Sequence, residues 1–317
     1  MPVFIAPLAL IIERVLGYPT PIFKAFGHPV TWAGALIALL DRRLNLGAHR
    51  KRNGVVALVL VLAATALVII PVAVLCRVIP FGWVLEALLA TSLLAQKALG
   101  AAVRTVADAL KRSLPEGRAA VTHIVGRDPE ALDEAGIARA AIESLAESTS
   151  DGVIAPLFWL LLGGLPGIAL YKAVNTADSM IGHKTERYHD FGWASARFDD
   201  LLNLIPARLT ALLIAGAAFF VKGAHPEAAW STVLRDAKKH ESPNAGWPEA
   251  ATAGALGFAL GGTRHYGGET VDLPSFGTGR TDLGPFDIEQ ALKLYAATLN
   301  LALAMTCLLS IILLRLT

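Results

Sequence analysis

One stretch of the chain constrains its fold more than any other, because it carries no charge over the 24 residues from Asn53 to Cys76. It is rich in Val, Leu and Ala, and a helix of about 20 apolar residues is long enough to cross the hydrocarbon core of a bilayer. A second uncharged run covers the 21 residues from Leu294 to Leu314. We therefore predict two membrane-spanning helices here, whereas a soluble protein would have to bury both runs completely.

The composition agrees with a lipid environment. Only 17% of the residues are charged, 54% are hydrophobic, and the mean hydropathy is +0.53, whereas soluble domains carry about 25% charged residues. The 28 basic and 26 acidic residues leave no basic excess, so we expect no nucleic-acid partner. The two cysteines, Cys76 and Cys307, lie far apart in apolar stretches and indicate neither a disulfide framework nor a metal site.

Other apolar runs are interrupted or short. Leu201–Val221 contains Arg208 near one end, where an arginine side chain can reach the interface, and Val78–Gln96 contains Glu86. Residues 2–12 do not resemble a cleaved signal peptide, so they form either a short anchor or an irregular first span. We predict an all-α, polytopic membrane bundle with broken or re-entrant helices, polar interfacial loops and roughly four to six membrane segments.

The apolar run from Gly152 to Tyr171 differs from the others because Gly163-Gly164-Leu165-Pro166-Gly167 interrupts its middle. Glycine and proline weaken a helix, and each half has about ten residues, too few to cross a bilayer alone. The pattern predicts either a broken, re-entrant hairpin or one kinked span. A hairpin would return the chain to the side that it left.

Basic residues stand directly before the Asn53–Cys76 run. They are Arg42, Arg43, Arg50, Lys51 and Arg52. The positive-inside rule predicts that this segment is cytoplasmic. We expect residues 1–317 to form a single membrane-embedded domain that includes a cytoplasmic helical segment, residues 97–151. In that segment Pro115 should end a first amphipathic helix, and Asp128-Pro129 should begin a second.

Four polar residues of this second helix follow one another at a spacing of four: Arg139, Glu143, Glu147 and Asp151. That spacing stacks side chains on one helix face. The stripe is either a solvated face with an Arg139–Glu143 pair or a platform for Mg²⁺ or Mg-phosphate, since Mg²⁺ prefers carboxylate oxygens and substrate phosphates. The position of Asp151, beside an apolar run, favours the second interpretation.

The next polar segment, residues 171–203, is denser in candidate site residues. Asn175 and Asp178 are three residues apart and can share a helix face, whereas the adjacent Asp199 and Asp200 point to different faces. Carboxylates beside lysine and arginine at a membrane surface suit a site that handles phosphate. Tyr, Trp, Lys and Arg are also common interfacial anchors, which would explain the aromatic residues but not the aspartates.

Three strings of residues occur together: GRDPEALDEAGIARAAIESLAESTSDGVIAPLFW, GGLPGIALYKAVNTADSMIGHKTERYHDFGWASARFDDLLNLIPARL and SPNAGWPEA, the last of which we expect to be a fixed loop. With His28-Pro29-Val30 and Asp41-Arg42-Arg43-Leu44-Asn45, they resemble the adenosylcobinamide-phosphate synthase family of cobalamin biosynthesis (CbiB/CobD). The resemblance covers most of the chain. Glu13, Tyr18 and Ser148 depart from the residues usual in that family.

The resemblance implies an integral membrane ligase in the bacterial inner membrane, with its active site facing the cytoplasm. It would join (R)-1-amino-2-propanol or its O-phosphate to the free propionate carboxylate of adenosylcobyric acid, using ATP and Mg²⁺. Other enzymes of the corrinoid pathway would be its partners.

The resemblance also implies roles for individual residues. The catalytic set is Glu143, Glu147, Asp151, Asp178, His183 and Asp199, with Glu147, Asp151 and Asp178 as metal ligands and His183 as the proton acceptor. The groups that contact phosphate or corrinoid carboxylates are Lys172, Asn175, Lys184, Arg197 and Arg208.

Two other classes of protein stay open. One is a non-catalytic transporter or scaffold that handles corrinoids, because transporters also contain broken helices and intramembrane polar residues. The other is a membrane phosphotransferase that acts on lipid alcohols. Carboxylates at segment ends favour surface chemistry over transport, and the Glu-x-x-x-Glu-x-x-x-Asp spacing differs from the aspartate arrays expected of the phosphotransferase.

Overall fold

The computed structural model describes residues 2–124, 130, 132–262, 264–266, 269–271 and 274–316. The helix start predicted at Asp128-Pro129 lies outside the described residues. Within them, the second helix begins at Glu134, and the carboxylate of Asp133 accepts the N–H of Gly136 at 2.7 Å.

The described chain is helical apart from short strands, as the sequence predicts. The helices are α1 (Ile5–Leu16), α2 (Thr20–Phe26), α3 (Pro29–Leu44), α4 (Arg50–Val78), α5 (Gly82–Thr91), α6 (Gln96–Arg112), α7 (Leu114–Val121), α8 (Glu134–Thr149), α9 (Ala155–Ile181), α10 (Trp193–Ala217), α11 (Pro226–Asp236), α12 (Gly246–Leu256) and α13 (Pro285–Leu316). The strands β1 (Leu260–Gly261) and β4 (Ser275–Phe276) pair antiparallel, as do β2 (Arg264–Tyr266) and β3 (Glu269–Val271).

Six helical stretches of the described chain are long and apolar enough to cross a membrane. They are Phe23–Leu44, Arg50–Val78, Gly82–Arg112, Glu134–Ile181, Trp193–Phe220 and Pro285–Leu316. This confirms a multi-pass helical protein. The sequence did not predict Phe23–Leu44, because Gly27-His28-Pro29 interrupts its apolar pattern, and residues 2–12 form a single 3₁₀ turn followed by most of α1.

The chain folds into two compact units built from separated segments. The first contains Met1–Ala95, Ala155–Asn203 and Thr306–Thr317, and the second contains Gln96–Ile154 and Leu204–Met305. Because the chain leaves and re-enters each unit, neither corresponds to a continuous stretch of sequence. The single domain expected from the sequence stays a prediction.

In the first unit, α3, α4 and α9 pack around Ile37, Val61, Ala177 and Phe191. The absence of a side chain at Gly54 permits this packing, since a Cβ there would lie 1.9 Å from the carbonyl oxygen of Phe191. The loop that follows α9 is therefore held against the start of α4.

The break predicted in the Gly152–Tyr171 run is confirmed at Gly164, whose φ of 60° and ψ of −152° separate two helical halves of α9. A Cβ on Gly167 would lie 2.3 Å from the carbonyl oxygen of Trp159. In a continuous helix, residues with this sequence separation would be about 12 Å apart. The two halves therefore fold back on each other, as the hairpin interpretation predicts and a single kinked span does not.

In the second unit, α6 packs against α7 and α8, and α11 packs against α12. The first amphipathic helix, α6, ends near its predicted position. Pro115 then lies at the start of another helix, α7, and not in a loop. Ser113 caps α7, with its hydroxyl accepting the N–H of Glu116, and Pro115 lies in the first turn, where a missing N–H costs no helical hydrogen bond. The predicted loop at SPNAGWPEA is likewise shorter than expected, because α12 begins at Gly246.

Asp236, at the end of α11, should make the stability of the protein depend on pH. Its side chain is 2% exposed, pairs with Arg235 at 2.6 Å and Lys239 at 2.7 Å, and accepts the N–H of Gly277 at 2.9 Å. These donors, Arg235 foremost, hold the pKa of the Asp236 carboxyl well below its usual range. Because the folded pKa is lowered, the stabilisation is complete above the unfolded pKa of about 4 and is lost as the pH falls below it.

We expect the thermal midpoint of the detergent-solubilised protein to fall as the pH is lowered from about 6 to about 3, and to fall less steeply in Asp236→Asn. The variant should already be less stable at neutral pH, because it leaves Arg235 and Lys239 without their anionic partner. Equal slopes in the two proteins would contradict the assignment.

Candidate active site

The second half of α9 and the start of α10 bring a connected set of polar side chains together in the first unit. Lys172 Nζ donates to Asn175 Oδ1 at 2.9 Å, and Asn175 Nδ2 donates to Asp199 Oδ1 at 3.4 Å. Asn203 Nδ2 donates to Asp199 Oδ2 at 2.8 Å, and the Tyr171 hydroxyl donates to Asn203 Oδ1 at 2.9 Å. We refer to these five residues as the α9–α10 network.

Helical spacing explains how the network forms. On α10, Asp199 and Asn203 are four residues apart and share one face, while Lys172 and Asn175 are neighbours on the facing side of α9. Asp199 is 7% exposed and Asn203 is 1% exposed. A buried carboxylate is costly unless donors surround it, so the two amides orient Asp199 as well as stabilise it.

Asp199 and Asp200, adjacent on α10, have different surroundings, as expected from their opposite directions on the helix. Asp178, on the same helix as Asn175, lies close enough to Asp199 for the two carboxylates to interact. Asp200 instead faces Arg197, whose Nη1 is 3.8 Å away, and it also interacts with Lys184. The first unit thus combines a pair of carboxylates with nearby cations.

The loop after α9 carries the predicted proton acceptor, His183, and Lys184, both with exposed side chains. Glycine is favoured at the start of this loop, because a Cβ on Gly182 would lie 2.7 Å from the backbone carbonyl oxygen of Asp178 and 1.9 Å from its Oδ1. The loop therefore begins directly beside a carboxylate of the site, and both side chains are accessible to a substrate.

The predicted cytoplasmic basic segment lies beside this loop. Arg187 Nη2 donates to Asp41 Oδ2 at 2.7 Å, and Asn45 Nδ2 donates to Asp41 Oδ1 at 2.8 Å, at the end of α3. Lys51 Nζ lies 4.1 Å from the ring centroid of Trp193, the first residue of α10. The end of α3, the start of α4 and the start of α10 therefore meet at one end of the first unit.

In the second unit, the predicted carboxylate stripe has three different environments. Glu143 is 4% exposed and accepts the N–H of Gly261 at 2.6 Å, so it joins α8 to β1 and is not part of a solvated face. Glu147 is exposed. Asp151 is half-buried in a π-helical turn, Ser150–Ile154, that follows α8.

Arg208, also in the second unit, contacts the SPNAGWPEA segment. Its Nη1 donates to Asn244 Oδ1 at 3.2 Å, and its guanidinium lies 4.4 Å from the ring centroid of Trp247. The second and third strings of the resemblance thus meet within this unit.

The structure divides the predicted site residues between the two units. The first unit contains Lys172, Asn175, Asp178, His183, Lys184, Arg197 and Asp199, and the second contains Glu143, Glu147, Asp151 and Arg208. The metal-ligand set Glu147, Asp151 and Asp178 draws on both units and stays a prediction. Tyr171 and Asn203 were missed as site residues, although the spacing of four between Asp199 and Asn203 was visible in the sequence.

The donor chemistry of the first unit can be compared with what Mg²⁺ requires. Among the described residues, no group of three or more His, Cys, Asp or Glu side chains is placed to hold a metal ion. Mg²⁺ usually binds through one or two carboxylates together with substrate phosphates and water. The oxygen ligands of Asp178 and Asp199, beside the cation of Lys172, fit that mode of binding.

The fold and the network define a multi-pass helical membrane protein with a charged site near its helix ends. The family described as CobD/Cbib protein matches residues 6–295. The chain therefore belongs to the CobD/CbiB family of cobalamin biosynthesis proteins, which confirms the resemblance read from the sequence.

Individual relatives align along nearly the whole chain. The cobalamin biosynthesis protein CobD of Rhodobacter capsulatus is 47% identical over 294 residues, or 91% of each chain. That of Sinorhizobium fredii is 49% identical over 305 residues, or 94% of each chain. That of Brucella suis is 46% identical over 305 residues, covering 93% of this chain and 92% of the relative. No solved structure matches this chain.

Proposed function

We propose that this protein is an ATP-dependent ligase that joins (R)-1-amino-2-propanol, or its O-phosphate, to the free propionate carboxylate of adenosylcobyric acid. Membership of a cobalamin biosynthesis family supports the pathway. The observation that carries the proposal is the α9–α10 network, since it places a lysine and two orienting amides around the Asp199 carboxylate, with the Asp178 carboxylate close enough to interact with it.

Amide formation from a carboxylate requires activation, because a carboxylate does not react with an amine at neutral pH. In the proposed sequence, a propionate oxygen attacks the γ-phosphorus of ATP, giving an acyl phosphate and ADP. The amine then attacks the acyl carbon, the new C–N bond replaces the C–O bond, and phosphate leaves. Lys172 and Arg197 would offset the negative charge of the phosphoryl group during both steps.

The incoming amine is an ammonium at neutral pH and must lose a proton before it attacks. The exposed imidazole of His183 is the proposed acceptor, since histidine is the side chain that most often transfers protons in enzyme sites. Asn175 would hold Lys172 in place through the hydrogen bond to Nζ. A Mg²⁺ ion held by Asp178 and Asp199 would supply charge neutralisation to the phosphates.

We place the active site on the cytoplasmic face of the inner membrane, where ATP is available. The contact of Lys51 with Trp193 supports this placement, because it sets the basic segment beside the start of α10. The positive-inside rule assigns such a segment to the cytoplasm.

The proposal predicts where the pathway is blocked when the protein is missing. A deletion strain should recover cobalamin-dependent growth on supplied cobinamide but not on cobyric acid. Inside-out membrane vesicles from the parent strain should convert adenosylcobyric acid and aminopropanol, free or phosphorylated, to the amide when ATP is added outside. Right-side-out vesicles should not.

Rescue of the deletion strain by cobyric acid would move the block upstream and contradict the proposal. A corrinoid transporter or scaffold would change the movement of cobyric acid across the vesicle membrane without forming the amide. Amide formation in inside-out vesicles therefore separates the ligase from that alternative.

A further inference from the structure

Glu86 is the one charged residue of α5, whose sequence is GWVLEALLAT, and it belongs to a stretch long and apolar enough to cross a membrane. Its side chain does not reach solvent, since the residue is 4% exposed. Instead, Glu86 Oε1 accepts the N–H of Leu165 at 3.2 Å. Leu165 is the first residue after the break in α9, so the carboxylate lies at the start of the second helical half.

The break creates a need for such an acceptor. A new helix start has N–H groups without partners in the preceding turn, and an apolar environment offers no water to bind them. A negative charge at this end also interacts favourably with the helix dipole. The fit is close, because a Cβ on Gly164 would lie 3.2 Å from Glu86 Oε1.

The second half of α9 carries the α9 side of the network. Leu165 and Ile168 are each 0% exposed, so the first turn is packed as well as hydrogen-bonded. Lys172 and Asn175 follow about two and three turns later on the same rigid helix. A shift or rotation at Leu165 would therefore move both side chains relative to Asp199 on α10.

We infer that Glu86 is a positioning residue for the α9–α10 network. Its carboxylate fixes the start of the second half of α9 and thereby sets the register of Lys172 and Asn175 against Asp199. The inference rests on the proposed function only where activity is the readout, because the hydrogen bond to Leu165 can be tested without it.

Two substitutions separate the hydrogen bond from the charge. Glu86→Gln keeps an acceptor oxygen of the same reach, whereas Glu86→Leu removes it. Thr91→Val is a matched control, because Thr91 is a buried polar residue of the same helix whose hydroxyl donates to Ala87 and faces Ala9 rather than α9. All three are compared as purified, membrane-inserted protein of equal folded amount.

Two readouts are measured on each variant. The first is kcat for ATP-dependent amide formation, together with the KM for ATP. The second needs no activity: the rate at which N-ethylmaleimide alkylates Cys76 in a Cys307→Ser background. Cys76 is 3% exposed and lies near Glu86, so its protection reports on the packing around the carboxylate.

We expect Glu86→Leu to lower kcat by about tenfold or more, since a buried N–H loses its acceptor, and to speed Cys76 alkylation severalfold. The KM for ATP should change little. Glu86→Gln should stay within a few-fold of the parent in both readouts, and Thr91→Val should keep the parental kcat even if its folded protein is less stable.

The inference is overturned if Glu86→Leu keeps parental kcat and Cys76 protection, or if Glu86→Gln is as impaired as Glu86→Leu. If the parent itself forms no amide, the proposed ligase function fails. The alkylation comparison needs no amide formation and would then still show whether loss of the Glu86 acceptor opens the packing around it, with parental protection in Glu86→Leu counting against the inference.

Discussion

Replacing Asp199 with asparagine is expected to lower ligase activity by about 100-fold or more, the usual scale for losing a charged group that acts on developing charge. Asp199 is the centre of the α9–α10 network, because it accepts hydrogen bonds from both Asn175 and Asn203. Asparagine has nearly the same shape but only one acceptor oxygen. Its NH2 group would therefore face the NH2 group of either Asn175 or Asn203, and that hydrogen bond would be lost. Complementation of the deletion strain and amide formation in vesicles would measure the loss.

Asp190→Asn is the matched control for this experiment. Asp190 lies in the loop before α10, is exposed, and has His189 Nδ1 at 3.3 Å. It should retain activity, while immunoblots of the membrane fraction show equal insertion of both variants. Full complementation by Asp199→Asn would remove this residue from the active site and leave the network a structural feature.

Replacing Gly167 with alanine is expected to destabilise the protein strongly and to lower the yield of folded protein. The added methyl group would lie 2.3 Å from the carbonyl oxygen of Trp159, where the halves of α9 cross, and this backbone cannot move aside without opening the hairpin. Overpacking of this kind costs about 1–3 kcal/mol, or more where the neighbour is backbone. The yield of folded protein in membranes and the unfolding midpoint in detergent provide the measurements.

Gly163→Ala supplies the comparison, since a Cβ there meets nothing within 4 Å. Alanine is favoured over glycine inside a helix by about 1 kcal/mol, so this variant should be neutral or slightly stabilised. Equal behaviour of the two variants would argue against a close crossing at Gly167.

Several site residues could be predicted because their relations are local. The separation of three between Asn175 and Asp178, and the opposite directions of Asp199 and Asp200, follow from helical geometry alone. The stripe at Glu143 shows the limit of that reasoning. Helical spacing indicated a shared face, but the fold buries Glu143 against the N–H of Gly261, far along the chain.

The sequence by itself determined that this is a multi-pass helical membrane protein with a broken segment around Gly164. The length of an uncharged apolar run determines whether a helix can cross the bilayer, and glycine and proline determine where the backbone leaves the helical conformation. Only the tertiary structure decided which polar groups meet: Glu86 with Leu165, Asp41 with Arg187, and Asp199 with Asn175. Such pairs depend on how helices pack after they form, and helical periodicity specifies a residue's face without specifying its partner.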